Sequence, residues 1–245
     1  MPRFFVDRSN ISDSSVTIFG DDARHIARSL RMAVGDEVTV SDGEGTEYLA
    51  RLTKIRDEEC VMDIISSMRS TSEPKSKITL YMAYPKSDKL ETVIQKAVEL
   101  GACAIVPFES SRCIKKPKQD KAKEKTERLG RIALEAAKQC GRSVIPKVEL
   151  PMTFSEMLSS ASQSDLVLFC YEGSGTRSLK EILDSFEDAP ELISVIVGSE
   201  GGFSEAEAAE AKERGFEMAN LGPRILRCET APDDCLSAIS YKFEL

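Results

Sequence analysis

A chain of 245 residues can bury a sizeable core and fits a small domain joined to a medium one. Its formal charge is −8, its seven cysteines form no C-x-x-C pair and His25 is its single histidine, so a zinc site, a Cys-His pair and a Ser-His-Asp triad all lack parts. With no run of eighteen apolar residues and no basic start followed by an apolar stretch, the expectation is a cytoplasmic protein with reduced thiols and no membrane partner.

The first 72 residues read as a small β-barrel or sandwich. Short β-rich stretches at 16–19, 37–40, 48–55 and 60–65 are broken by Gly35-Asp36 and Asp42-Gly43. One helix is expected over 22–30, where Ala23, Ile26, Ala27 and Leu30 recur at helical spacing. Residues 66–77 have the Ser, Thr, Lys and Pro content of a linker, which divides the chain into domains 1–72 and 73–245.

From Ile78 onward strands alternate with longer helices, the pattern of a mostly parallel sheet covered by helices. The expected strands are 78–84, 104–106, 166–171, 192–197 and 217–221. The expected helices are 88–100, closed by Gly101; 121–139, closed by Gly141; 154–160; and 205–214, closed by Gly215. Capping boxes mark two of these starts, Thr153 with Glu156 and Ser204 with Glu207, and a further helix is expected at the C-terminus.

Charge is uneven along the chain. Lys and Arg stand at fourteen against eighteen acids over residues 1–111, twelve against four over 112–147, and seven against nineteen over 148–245. The basic island in the middle is either a solvated helix face or a track for a phosphate backbone.

Four segments hold groups with chemical potential. Gly198-Ser199-Glu200-Gly201-Gly202-Phe203-Ser204 follows an apolar strand and opens a capped helix, where glycines let the backbone turn sharply and approach a ligand. It matches neither an ATP P-loop nor a dinucleotide turn, and a purely structural turn is the alternative. Leu221-Gly222-Pro223-Arg224-Ile225-Leu226-Arg227-Cys228-Glu229-Thr230-Ala231 sets two arginines around an apolar pair, which suits a flat base beside a guanidinium or, equally, two surface arginines flanking core residues. Lys86-Ser87-Asp88-Lys89-Leu90-Glu91 with Gln95-Lys96-Ala97-Val98-Glu99-Leu100-Gly101 reads by itself as an amphipathic helix with a charged start. Ser110-Ser111-Arg112-Cys113-Ile114-Lys115-Lys116 and Ala137-Lys138-Gln139-Cys140-Gly141-Arg142 bracket the basic island with groups suited to a nucleotide.

In this order and with these separations, the segments resemble the RsmE family of ribosomal RNA uridine N3-methyltransferases, within the SPOUT superfamily. At the front, Pro2-Arg3-Phe4-Phe5, His25, Leu30-Arg31, Gly35-Asp36 and Asp42-Gly43 resemble that family's PUA-like domain. The resemblance implies an α/β protein in which an N-terminal PUA-like β-barrel precedes a SPOUT α/β-knot methyltransferase domain with a deep trefoil knot. It also implies S-adenosyl-L-methionine as cofactor, ribosomal RNA of the small subunit as substrate, and a homodimer. Three loops would hold the cofactor: Tyr171 and Glu172; Gly198, Glu200, Gly201 and Gly202; and Leu221, Gly222, Ile225, Leu226 and Arg227.

Uracil N3 carries a proton at neutral pH, so the site must favour its loss, and a guanidinium beside O2 or O4 would stabilise the anion. Arg227 is assigned that part. Glu200 and Glu229 are the available proton acceptors, or else hold backbone amides. Arg3, Arg31, Arg112, Lys115, Lys116, Gln139 and Arg142 are assigned to RNA, and no residue to a metal. Other readings stay open: a related enzyme acting on another RNA or at a ribose hydroxyl, or a non-catalytic RNA-binding protein. Two departures from the family pattern stand out, Ser199 where proline is usual, and Pro232-Asp233-Asp234 in place of small or apolar residues.

Overall fold

Alternation of apolar and polar residues builds a five-stranded sheet from the first seventy residues. The computed structural model describes residues 1–86, 89–114 and 119–245. Its elements here are β1 (Arg3–Phe5), β2 (Ser15–Phe19), α1 (Gly20–Arg24) leading into a π-helical turn at His25–Ser29, β3 (Glu37–Ser41), β4 (Thr46–Ile55) and β5 (Glu59–Arg69). The strand order is β1-β3-β4-β5-β2, antiparallel except for the β1–β3 pair. Val16, Ile18, Val38, Val40, Leu52 and Met62 point inward at every second position and pack with Phe4, Ala23 and Ile26.

Two local expectations change. The strand at Arg3–Phe5 is too short to show a period in sequence, yet it pairs Arg3, Phe4 and Phe5 with Thr39, Val40 and Ser41. β5 continues to Arg69, so the start of the expected linker is strand. The last residues of β5 lie exposed, and Ser66 and Ser67 there pair with half-buried Leu49 and Tyr48 of β4 without needing an apolar face of their own.

This sheet belongs to a compact unit made of Met1–Glu73 and Ala137–Ile145; a second unit holds Pro74–Ala136 and Pro146–Leu245. The chain thus returns to the first unit over Ala137–Ile145. Glu73 holds that segment: its Oε2 accepts from Arg142 Nη2 at 2.6 Å and Nε at 3.1 Å, while Oε1 accepts from the amides of Ser143 at 2.8 Å and Val144 at 3.0 Å. Burial raises the Glu73 pKa, but these donors outweigh it and bring the carboxyl below its ordinary range.

Replacing Glu73 with alanine leaves Arg142, 4% exposed, without its carboxylate. The expected loss is about 3 kcal/mol of unfolding free energy, read by urea melts. Because the folded pKa is depressed, this contribution is full above the ordinary glutamate range. It fades as pH falls through the lower folded value, so the two proteins should converge in strong acid.

In the second unit the elements are β6 (Lys77–Ala83), α2 (Lys89–Glu99), β7 (Ala102–Glu109), α3 (Ala122–Cys140, whose last turn belongs to the first unit), β8 (Lys147–Val148), β9 (Met152–Thr153), α4 (Phe154–Ala161), β10 (Leu166–Cys170), β11 (Arg177–Ser178), α5 (Leu179–Asp184), β12 (Leu192–Val197), α6 (Glu205–Glu213), β13 (Glu217–Asn220) and α7 (Ala231–Phe243). All named strand pairs are parallel, in the order β11-β13-β10-β12-β6-β7-β8, with β9 also beside β7. The central strands are apolar almost throughout because helices cover both faces. Among the described residues, no helix is long and apolar enough to cross a membrane.

The capping boxes at Thr153 and Ser204 form as expected. A third, Ser178 with Glu181, starts α5, a helix of six residues that sequence periodicity does not reveal. Pro232 stands in the first turn of α7, where its missing N–H costs nothing, and Asp233 and Asp234 sit at the positive end of the helix dipole. The unusual Pro-Asp-Asp run is thus a helix start. Asp233 Oδ1 is buried with no hydrogen-bond partner among the described residues, and burial raises the pKa of that carboxyl.

Candidate functional site

Three adjacent parallel strands, β13, β10 and β12, end at one cavity of about 880 Å³. Open α/β sheets bind ligands at the carboxyl ends of their strands. This volume falls within the roughly 300–1,000 Å³ of small-molecule sites. The loops that leave Cys170, Val197 and Asn220 form its walls.

Each loop is held in a fixed course. In the first, the Tyr171 amide donates to Ala219 O at 2.9 Å, which extends the β10–β13 contact past the strand end. The Asn220 side chain joins the first loop to the third: its Nδ2 donates to Thr176 Oγ1 at 3.3 Å and its Oδ1 accepts from the Gly222 amide at 3.2 Å. In the second loop the Gly202 amide donates to Ser199 O at 2.9 Å, closing a tight turn. Gly202 has φ +62°, and a Cβ at Gly198 would lie 3.1 Å from Gly202 Cα, so both positions favour glycine. Phe203 anchors the loop in the core, its ring 4.2 Å from that of Phe169 and stacked parallel on Phe108 at 6.2 Å.

The turn at Ser110–Arg112 is brought to the same loop by Glu207. This capping-box carboxylate, 8% exposed, accepts from Ser204 and also from the Ser111 amide and hydroxyl, each at 2.7 Å. Burial raises the Glu207 pKa, yet the donors prevail and the group titrates low. Arg112 then reaches Gly201, donating to its carbonyl at 3.1 Å, and a Cβ on Gly201 would meet Arg112 Cβ at 3.0 Å.

A charged cluster closes one side of the cavity. Lys89 Nζ lies 3.3 Å from Glu200 and 3.0 Å from Glu229, and Glu200 accepts from the Lys86 amide at 3.1 Å. Burial raises the pKa of each glutamate, but amides and the Lys89 ammonium outweigh it, leaving both below the usual range. Glu229 foremost, then Glu200, raises the Lys89 pKa. Both carboxylates are thus ionised and engaged, a poor arrangement for accepting a proton. Cys228, beside them, is pushed up to about 12 by burial and by its hydrogen bond to Glu229.

Of the cofactor residues assigned from sequence, Tyr171, Glu172, Gly198, Glu200, Gly202, Leu221, Gly222, Ile225, Leu226 and Arg227 line this cavity, while Gly201 stands behind it against Arg112. The Arg227 side chain is exposed at the cavity and forms no hydrogen bond or ion pair with the described residues. Lys89, Thr176 and Asn220 also line it, and sequence reasoning gave them no function.

The RNA assignments scatter. Arg31 is exposed with φ 51°, Arg112 is exposed, and Gln139 is exposed near the end of α3. Arg142 is buried in the first unit, where its guanidinium meets Glu73 at 2.6 Å. Arg3 is likewise engaged, by Glu47 at 2.9 Å. Lys115 and Lys116 lie outside the described residues.

Comparison with known proteins agrees with this geometry. The RNA methyltransferase domain family matches residues 71–240, and the RNA methyltransferase PUA domain family matches residues 19–65. Ribosomal RNA small subunit methyltransferase E of Bacillus subtilis is 34% identical over 252 residues, covering 100% of this chain and 98% of that protein. The crystal structure of a ribosomal RNA small subunit methyltransferase E from Neisseria gonorrhoeae bound to S-adenosyl methionine has 30% identity and a TM-score of 0.87, covering 99% of this chain and 98% of that one. A methyltransferase of Legionella pneumophila, in complex with the same cofactor, has 28% identity and a TM-score of 0.84 over 98% of this chain and 96% of that one. A PUA domain ahead of an RNA methyltransferase domain, and this likeness along the whole chain, identify it as a member of the ribosomal RNA small subunit methyltransferase E family.

Proposed function

We propose that the chain transfers a methyl group from S-adenosyl-L-methionine to N3 of a uridine in small-subunit ribosomal RNA. The observation that carries the reading is an exposed Arg227, unpaired among the described residues, at a cavity walled by three strand-end loops within the methyltransferase domain. The cavity suits the cofactor. Apolar Val197, Leu221 and Leu226 offer faces for a purine, Thr176 and Asn220 offer polar edges, and Glu172 and Glu200 suit a ligand with net positive charge. When bound, the cofactor supplies an activated methyl group on a sulfonium.

The chain's own part is alignment and charge. Gly198 and Gly202 let backbone come close to the ligand, and the 221–227 loop borders its other side. Arg227 holds O2 or O4 of the uracil and stabilises the base as N3 loses its proton. Glu200 and Glu229 hold Lys89 and the loops instead of taking that proton.

Two further properties belong to this reading. The C-terminal segment passes through a trefoil knot, supported by the insertion of β12 between β10 and β6 and the placement of β13 on the far side of β10, with α7 packed on α2, α5 and β12. Two chains form a homodimer in the cytoplasm and act on the small ribosomal subunit.

Mass spectrometry of ribosomal RNA nucleosides from cells with and without the gene tests the activity. Loss of one N3-methyluridine from the small-subunit RNA is expected; loss of a different methylated nucleoside would reassign the target atom, and no change would remove the activity. RNA affinity is expected to draw on the basic island. Neutralising Lys115, Lys116 and Lys118 together should weaken RNA binding and flatten its dependence on salt by about two to three counterions, with cofactor affinity unchanged. Filter binding across a salt series measures both slopes.

A further inference from the structure

We infer that Lys89 is a positioning residue of the methyl-transfer site, its ammonium fastening the 198–202 loop to the Arg227 loop so that the two keep the separation the cofactor needs. The inference rests on the cofactor reading above.

Lys89 opens the described part of α2, near the end where the helix dipole disfavours a cation. Its surroundings reverse that preference. Nζ meets Glu200 Oε1 at 3.3 Å and Glu229 Oε2 at 3.0 Å, with Cys228 Sγ at 3.9 Å. These are the titratable groups facing it among the described residues. All three charged side chains are between a quarter and a third exposed, so the cluster is screened less than a surface pair.

The two glutamates come from different loops, and each is tied closely to a residue of the site. Glu200 sits between Ser199 and Gly201, inside the turn that the Gly202 amide closes onto Ser199. It also accepts from the Lys86 amide, which fixes the approach to α2. Glu229 is two residues beyond Arg227, whose carbonyl accepts from the amides of Thr230 at 2.8 Å and Ala231 at 3.0 Å at the start of α7. Moving either carboxylate moves the glycine turn or the arginine.

Removal of the ammonium would do more than break two contacts. It would leave two carboxylates facing each other in a half-dry wall, and repulsion would part the loops or force one carboxyl to take up a proton. A lysine that merely decorates the surface has neither effect.

The test is calorimetric titration of S-adenosylmethionine into the wild-type chain and the variants Lys89→Met, Lys89→Arg and Lys89→Met/Glu229→Gln, at pH 6 and pH 8.5. Relative to wild type, Lys89→Met is expected to bind about tenfold more weakly at pH 8.5. It should recover part of that loss at pH 6, where one proton can settle between the carboxylates. Lys89→Arg should bind within a few fold of wild type, and the double variant should bind better than Lys89→Met at pH 8.5. Binding by Lys89→Met equal to wild type at both pH values overturns the inference, as does an equal weakening at both that the double variant fails to relieve. Should Lys89→Met not fold, Lys89→Gln carries the same comparison. Absence of binding by the wild-type chain overturns the cofactor reading and this inference with it.

Discussion

Replacing Arg227 with glutamine is expected to lower the rate of methyl transfer by about two to three orders of magnitude, the usual effect of removing one preorganised donor from a developing anion. Affinity for RNA and for the cofactor should stay within a few fold of wild type. The side chain has no protein partner among the described residues, so its removal leaves no buried group unsatisfied and the fold should be unaffected. Because the guanidinium acts on charge that appears as N3 loses its proton, kcat should fall while KM for RNA hardly moves. Raising the pH should restore part of the rate to the variant, since solvent then assists the deprotonation that Arg227 favours. Single-turnover kinetics with saturating cofactor gives the chemical step directly. An Arg227→Gln protein with wild-type kcat and weakened RNA binding would make the residue an RNA anchor.

Replacing Gly202 with valine should abolish measurable cofactor binding, or weaken it at least tenfold, in a protein that still folds. The backbone at Gly202 has φ +62°, a region that costs an ordinary L residue roughly 1–2 kcal/mol and a β-branched one more. The new Cβ would also stand 3.3 Å from Glu172 Oε1, on the neighbouring loop of the same cavity. The Glu172 carboxylate can swing aside, so the left-handed backbone is what strains the turn and reshapes the wall against the ligand. Calorimetry measures the affinity, and a melting curve separates a displaced loop from an unfolded chain. Unchanged affinity in the folded variant would place the cofactor against another loop.

Much of this site can be read from sequence because its parts are contiguous. The glycines of 198–202 and the Arg-Ile-Leu-Arg run each sit directly after an apolar strand, so residue type and position report together. Lys89 is invisible by the same means: its partners Glu200 and Glu229 lie far along the chain, and only the parallel sheet brings α2 to them. The burial of Arg142 is equally hidden from sequence. A guanidinium in a basic stretch reads as surface, yet Glu73, in what passes for a linker, pulls it inside. The end of β5 is missed since its polar residues pair only through backbone, and α5 because six residues are too few to show a period, although Ser178 and Glu181 spell out its start.

The thiol of Cys228 carries a chemical consequence. It borders the cavity proposed to hold a donor of electrophilic methyl groups, and a thiolate there would compete with the RNA base for the same carbon. Burial first, and then its hydrogen bond to Glu229, pushes the thiol pKa up to about 12, so it stays protonated at neutral pH. Burial, seconded by the neighbouring carboxylates, therefore keeps this thiol a poor competitor for the methyl group.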